Sequence, residues 1–576
     1  MSEWKYNQAR HLTDHHVEPY GNDRLSVLFK MNIIPKHMYR NAIFCFCFFL
    51  LVTSCSRESS LQFRDIPADT LKDKIAGGWA GKMIGVTYGA PTEFRAQGKT
   101  YEDSIHWAPG DVKGALWQDD IYVQLTFLMT MDSYGMDAPA KKYQELFAKA
   151  GYPLWHANVQ ARKNYFDSIF PPQSGHPDFN LHADDIDFQI EADYIGFMCP
   201  GMPVTANLMA DKTGHIMNYG DGVYGGAFVA SLYAEAFFEN DIPKIIDKAL
   251  LSIPAESDYA KIIRDVILLH QHYPSDWRAA WNELDAKWGK VQICESGTPF
   301  NIDAKLNGAY IVMGLLYGEG DPLKTMEIST RCGQDSDCNP SNAMAVLGLI
   351  TGFGGLPPEW QEAVRTIGDS LFIHTDYSFD KAVDQTLAYA GQLIIANGGK
   401  QSGETLTINI QDPQPLPFEE SFPDLFFEKR VPVSDTTCWE SEGHWEKYGA
   451  NNIHAAEPLK EQALFSSHAG DKITFRFGGT GVSLVGNWVK DGGIANIYID
   501  GTLQRRIDLY FHYAGQEHLN MNLFHITGLP AGIHTLQVEV TGEKRPESEG
   551  ARVYVSEAVI FHTAPKTSET QRFSFQ

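Results

Sequence analysis

Four aspartates in two pairs carry the chemistry that this chain is equipped for. Asp119 and Asp120 stand in the run WQDDIYVQLTFLMTM, and Asp335 and Asp337 in RCGQDSDCNPSNAMAVLGLITGFGG. An apolar stretch with helical spacing follows each pair, which predicts a helix N-terminus there, where free N–H groups favour carboxylates. One aspartate at such a place is an ordinary cap, and that reading stays open for each pair alone. Two exceed what a cap needs. Asp335 and Asp337 flank Ser336 in an extended turn whose alternate residues can face one side, and Pro340 suits the first helical turn after it. Joined, the pairs could form one hard-cation site, because oxygen donors with no His or Cys in place select Mg²⁺, Ca²⁺ or Mn²⁺ rather than zinc.

Bringing such distant pairs together requires helices that approach closely. Residues 66–395 read as mostly helical. Leu71, Ile75, Trp79 and Met83 recur at helical spacing, as do Ile121, Leu125, Leu128 and Met129, and residues 225–239, 259–270 and 307–318 behave alike. Gly77, Gly78, Gly81, Gly85 and Gly89 fall in one predicted helix, and Gly348, Gly352, Gly354 and Gly355 in another. Interior glycine costs a helix roughly 1 kcal/mol against alanine; tight packing of helices around a compact centre is the expected compensation. The first of these helices runs into a tight Gly89-Ala90-Pro91-Thr92 turn that presents Glu93. A phosphate loop is a weak reading, since GK[ST] is missing and no strand precedes.

These three segments, in this order, resemble the ADP-ribosylglycohydrolase family. Its members open with a glycine-rich helix ending near G-A-P-x-E, here Gly89 to Glu93. They continue with T-D-D-T, here Gln118-Asp119-Asp120-Ile121, and close with G-x-D-x-D-[TS], here Gly333 to Cys338. The resemblance covers roughly residues 66–390. It implies an all-α fold with a dinuclear Mg²⁺ centre in a cleft and hydrolysis of a glycosidic bond at a ribose anomeric carbon. By resemblance, Asp119, Asp120, Asp335 and Asp337 are metal ligands and Glu93 is a cleft carboxylate near the substrate. The motifs also depart from the family. Gln118, Ile121 and Cys338 replace hydroxyl residues; Gln118 can offer a carbonyl oxygen, whereas Cys338 is a poor ligand for a hard cation. Val86 stands where relatives often have Asp.

Two further stretches are candidate substrate contacts. Asn218 to Gly226 resembles the family's glycine-rich substrate loop and offers Asn218, Gly220, Asp221 and Tyr224 for sugar hydroxyls; a turn entering the next helix explains it equally well. His182, Asp184, Asp185 and Asp187 either line the cleft or open a helix.

Composition bounds the partners. The formal charge is −25 over 576 residues, which disfavours nucleic acid and anionic membrane surfaces and suits neutral sugars or cations. Residues 1–54 read as a bacterial lipoprotein signal: Lys36, His37 and Arg40, the apolar run Ala42 to Val52, then Val52-Thr53-Ser54-Cys55. Cys55 is the expected lipidation site, Met31 the expected start, and residues 1–30 an extension. The chain would then sit in the bacterial cell envelope and touch membrane only through its lipid. Residues 55–65 read as a tether. Cys199, Cys294, Cys332, Cys338 and Cys438 remain, an odd number without CxxC spacing. Residues 396–420 shift to Gly, Ser, Pro and Gln and predict a linker with one strand at Leu406–Ile410. Residues 421–563 switch to period two, with an Asp500-Gly501 hairpin turn, and predict a β-sandwich. That segment resembles galactose-binding-like jelly rolls, its Trp439, Trp445, Trp488, Tyr510, Phe511, His512 and Tyr513 weighing mostly as core. Residues 564–576 read as a disordered tail.

The resulting expectation is an all-α catalytic domain followed by an all-β sandwich, acting as a metal-dependent glycosidase. Mg²⁺ is the first choice, with Ca²⁺ or Mn²⁺ as alternatives and one or two ions. A neutral glycoside or glycan is the expected substrate, ADP-ribose conjugates the second. An inert glycan-binding lipoprotein is the alternative from a different class.

Overall fold

The computed structural model describes residues 62–449 and 462–563. The signal-like segment, Cys55 and residues 564–576 lie outside the described residues.

Eight helices build the region of interest: Ala68–Gly89 (α1), Asp119–Tyr134 (α2), His156–Phe166 (α3), Asp187–Glu191 (α4), Asp193–Phe197 (α5), Asp221–Ala236 (α6), Ala304–Gly318 (α7) and Cys338–Thr351 (α8). At the centre α1 lies against α8 with their backbones in contact. A Cβ on Gly77 would come within 2.1 Å of Gly348 O, on Gly81 within 2.4 Å of Met344 O, and on Gly85 within 2.3 Å of Pro340 O. The four-residue spacing puts these glycines on one face. The helix propensity that they forfeit is thus offset by dispersion between two closely packed backbones. The stripe ends at Gly89, where a Cβ would sit 2.0 Å from Ser336 O, so it also brings the Gly89–Glu93 turn against the Asp335–Asp337 turn.

The strand Gln62–Pro67 (β1) precedes α1. It pairs antiparallel with Thr405–Ile410 (β3), whose other edge takes Lys400–Ser402 (β2). Residues 396–420 read as a linker with one strand at Leu406–Ile410 and residues 55–65 as a tether; in the structure that strand is Thr405–Ile410, and it joins Lys400–Ser402 and Gln62–Pro67 in one small sheet. Leu406 and Ile408 alternate inward, 4% and 0% exposed, and that short apolar alternation outweighs the surrounding turn residues.

The C-terminal part is antiparallel throughout its named strands. One sheet orders Thr502–Asp508, Ile494–Ile499, Gly532–Val540, Lys472–Gly479 and Trp439–Glu442; a second orders His518–Ile526, Gly481–Trp488, Glu557–Thr563 and Leu425–Pro432; a third orders Val553–Val555, Gln462–Ser466 and Glu446–Gly449. Ile473, Phe475 and Phe477 meet Val482 and Leu484 in the shared core. Asp500 and Gly501 both take positive φ, 50° and 77°, as a two-residue hairpin turn requires. Trp439, Trp488 and Phe511 are buried. The sandwich seats directly on the helical part. Leu154 N donates to Gln516 Oε1 at 3.2 Å, His525 Nε2 meets Pro177 O, and the Arg162 guanidinium lies 5.0 Å from the Tyr513 ring centroid.

Candidate active site

A cavity of about 470 Å³ opens where α2 and α8 begin and the turn after α1 ends. Glu93, Gln118, Asp119, Asp120, Asp335 and Asp337 all line it. The fold holds the motif segments together through a short set of polar contacts. Phe94 N donates to Gln334 O at 3.1 Å, Gln334 N to Ala96 O at 2.9 Å, and the Thr92 and Ser336 hydroxyls are 2.8 Å apart. Asn307 on α7 supports the Asp335 turn, its Oδ1 accepting from Asp335 N at 3.3 Å and Asn339 Nδ2 at 3.1 Å. Asp337 caps α8 by accepting from Cys338 N at 3.0 Å. Capping therefore accounts for one oxygen of Asp337 and none of the side-chain oxygens of Asp335.

The electrostatics of this cluster are those of crowded carboxylates. The charge of Asp337, then burial and the charges of Asp119 and Asp120, push the Glu93 carboxyl up to about 9. Burial, then Asp120 and Asp337, pushes Asp119 up to about 7. Burial and Asp120 raise Asp337 to about 6. Burial and Asp337 hold Asp335 well above the usual carboxylate range. Asp335 is 3% exposed, and its Oδ1 is buried with no hydrogen-bond partner. An orphaned anionic oxygen among other carboxylates is costly unless a cation satisfies it. Glu93, Asp335 and Asp337 each bring a donor atom within 4.8 Å of the others, and so do Asp120, Asp337 and Cys338. The first of these sets is all oxygen and fits a hard divalent ion.

Several lining groups escape the motif-based reading. Lys82, on α1, is fully buried; its Nζ reaches Asp120 Oδ1 at 3.2 Å, Asp193 Oδ2 at 2.9 Å and Ile190 O at 2.9 Å. Burial alone would lower its pKa, but the carboxylates of Asp193 and Asp120 more than offset that and keep it charged. A lysine set among the glycines and apolar residues of the Gly77–Gly89 stretch was the signal available for it. Asp187 accepts from Ala157 N and Asn158 N at the start of α3, and burial followed by the Asp185 charge pushes it up to about 8. Glu191 is also held well above the usual carboxylate range, chiefly by burial, and its Oε2 is unpartnered. Trp117 and Trp155 stand on the rim, 58% and 37% exposed. Exposed tryptophans are uncommon on a surface without a partner for their faces.

The candidate substrate residues lie elsewhere. None of Asp184, Asp185, Asn218, Gly220, Asp221 and Tyr224 lines the cavity. Asn218 is a buried brace: its Nδ2 donates to Ala183 O and Asp185 O at 2.9 and 2.8 Å, and its Oδ1 accepts from Phe188 N at 3.0 Å. Gly220, at φ 49°, turns the chain into α6 against Ser421. Asp221 accepts from Tyr259 N at 3.0 Å, Asp184 accepts from Ser421 Oγ, and Tyr224 OH donates to Pro417 O at 2.8 Å. These polar groups tie the 183–188 segment and the 417–421 segment to α6; local composition does not distinguish such braces from substrate contacts. Asp185 sits beside the cavity, 2.7 Å from His182 Nδ1 and 2.9 Å from Cys294 Sγ. The five cysteines at 199, 294, 332, 338 and 438 are free thiols.

Among solved structures, an ADP-ribosylglycohydrolase-related protein complex aligns over 56% of this chain and 98% of that one, at 14% identity and a TM-score of 0.40. A two-domain esterase active on acetylated mannans aligns over 32% and 47%, at 15% identity and a TM-score of 0.19. Among curated proteins, the A type blood alpha-D-galactosamine galactosaminidase of Flavonifractor plautii is 31% identical over 121 residues, 21% of this chain. The chain spans 10% of that relative's length. The family model described as ADP-ribosylglycohydrolase matches residues 67–397, which take in α1, both aspartate pairs and the cavity between them. The chain belongs to the ADP-ribosylglycohydrolase family, whose members are typically hydrolases.

Proposed function

We propose that the chain is a metal-dependent glycosidase that cleaves a neutral, extracytoplasmic glycoside. The observation that carries this reading is the buried, unpartnered Oδ1 of Asp335 among carboxylates converging on one cavity. Oxygen donors favour Mg²⁺, with Ca²⁺ or Mn²⁺ the alternatives. Glu93, Asp335 and Asp337 are the groups that would hold it, with Asp119 and Gln118 lining the same cavity. When bound, such an ion supplies Lewis acidity to sugar hydroxyls and to water.

The chain's own residues account for the rest. Among the described residues no Arg or Lys lines the cavity, so a diphosphate would meet acidic, aromatic and apolar side chains, with His156 among them. Trp117 and Trp155 offer flat faces to a sugar ring. The acidic cluster favours positive charge developing at an anomeric carbon. Of the cavity carboxylates, Asp119 is the readier base for the attacking water, because its carboxyl is pushed up only to about 7 whereas that of Glu93 is pushed up to about 9 and stays protonated. Glu191 and Asp187, both held toward their protonated forms, are placed to give a proton to the leaving group. The partial likeness to a galactosaminidase supports a glycoside substrate. The sandwich supports glycan capture, and the Cys55 motif supports a lipid anchor in the bacterial envelope. Among the described residues no helix is long and apolar enough to cross a membrane.

The test is a released-sugar assay over a panel of neutral glycosides and ADP-ribose conjugates, with and without EDTA. Chelator-insensitive hydrolysis overturns the metal mechanism. Hydrolysis of ADP-ribose conjugates alone overturns the substrate class. A second reading, an inert glycan binder, is favoured by the bond from Cys338 Sγ to Asp120 Oδ2 at 3.3 Å; it predicts glycan binding with no turnover under any ion.

A further inference from the structure

We infer that the cleft takes a single divalent cation, held at Glu93, Asp335 and Asp337, and that the Lys82 ammonium permanently occupies the neighbouring cation position against Asp120. This rests on the metal-dependent reading above. The two three-donor groups share Asp337, so they are adjacent halves of one acidic centre. They differ in what already fills them. In the first, Asp335 Oδ1 is buried and unpartnered. In the second, both oxygens of Asp120 are engaged: Oδ1 accepts from Lys82 Nζ at 3.2 Å and Oδ2 from Cys338 Sγ at 3.3 Å.

The ammonium is not placed to leave. Lys82 is fully buried, and its Nζ is also bound to Asp193 Oδ2 and Ile190 O, each at 2.9 Å. Asp193 is fixed in turn, accepting from Gln124 Nε2 at 3.0 Å, Tyr233 OH at 2.6 Å and Asn342 Nδ2 at 3.1 Å. A divalent ion between Asp120 and Asp337 would face this charge at short range, with a soft sulfur as its third donor. Both effects disfavour a hard cation there, and neither acts on the oxygen-only group. Lys82 thus supplies the charge that a second ion would otherwise bring, and it does so without exchange with solvent.

The experiment is a count of bound Mn²⁺ on the chelator-stripped full chain, by isothermal titration and by electron paramagnetic resonance. One equivalent, with no exchange-coupled Mn²⁺ pair, is the expected result. Two equivalents, or a coupled pair, overturn this inference and leave the metal-dependent reading intact. No bound Mn²⁺, Mg²⁺ or Ca²⁺ overturns both. Two variants assign the position: Asp335→Asn is expected to weaken Mn²⁺ binding at least a hundredfold, and Cys338→Ala to change it less than threefold; the reverse order overturns the placement. In Lys82→Gln the stoichiometry should rise to two, and a folded variant that still binds one equivalent removes Lys82 from the account. Should that variant fail to fold, the wild-type count and the other two variants still decide.

Discussion

The hydroxyls of Thr92 and Ser336 lie 2.8 Å apart, both buried, joining two turns that are 244 residues apart in the chain. This contact clamps the Glu93 turn to the Asp335–Asp337 turn without itself offering a ligand. Thr92→Val keeps the shape and removes the bond. It should cost about 1 kcal/mol of stability, read from denaturant midpoints. As a supporting contact its loss should weaken divalent-ion affinity by about 10–100-fold. Unchanged ion affinity would show that the turns hold their geometry without it.

The close approach of α1 and α8 should be intolerant of a single methyl group. Gly85→Ala would put a Cβ 2.3 Å from Pro340 O. Backbone on both sides leaves nothing to move cheaply, so a loss of about 1–3 kcal/mol or more is expected. Because Pro340 stands three residues after Asp337, the melting-temperature gain on adding Mg²⁺ should shrink in the same variant. Gly110→Ala, with open space around its Cβ, is the control.

Asp335→Asn should separate stability from ion binding. Burial and Asp337 already hold this carboxyl toward its neutral form, so the change should leave the melting temperature of the chelated protein little altered. The same change should abolish most of the stabilisation that Mg²⁺ gives the wild type, which is about 2.7 kcal/mol at a hundred times Kd. A variant less stable than wild type in EDTA would mean that the carboxylate has an unseen partner.

The seat of the sandwich should be acid-sensitive. Burial, and for His518 also the Arg162 charge, lowers His518 to about 4; burial lowers His525 to about 4 as well. Both are neutral in the fold, while the unfolded chain takes up their protons near pH 6.5. The unfolded state therefore binds more protons between pH 6.5 and 4, and stability should fall as pH falls through that window, by about 3 kcal/mol for each group. Calorimetry against pH checks this, and His525→Gln should flatten the slope.

Trp155→Ala and Trp117→Ala should raise KM for a glycoside about tenfold, equivalent to about 1.4 kcal/mol, with kcat little changed, since a rim face binds ground and transition states alike. An equal fall in kcat would place these rings at the reacting bond instead.

The sequence alone determined the helical domain, the two aspartate pairs at helix starts and the sandwich, because each is written in local periodicity. Helical spacing marks α1, α2 and α8, period two marks the later strands, and the glycine spacing of α1 already announced a close helical neighbour. Within residues 396–420 the alternation marks the strand at Leu406–Ile410, seen as Thr405–Ile410; its pairing with β1 at the other end of the domain leaves little local signal over that distance. Only the tertiary structure decided which polar residues face the cavity. Asn218, Asp221 and Tyr224 look like sugar contacts in sequence, and in the fold each bonds to backbone of a neighbouring segment; a buried amide or phenol bonding to backbone has the same composition as one bonding to substrate. Lys82 is the converse case. One lysine among glycines and apolar residues says nothing about its partner, because Asp120 and Asp193 reach it only after three helices have packed. Its charge is local, but what that charge neutralises is a property of the fold.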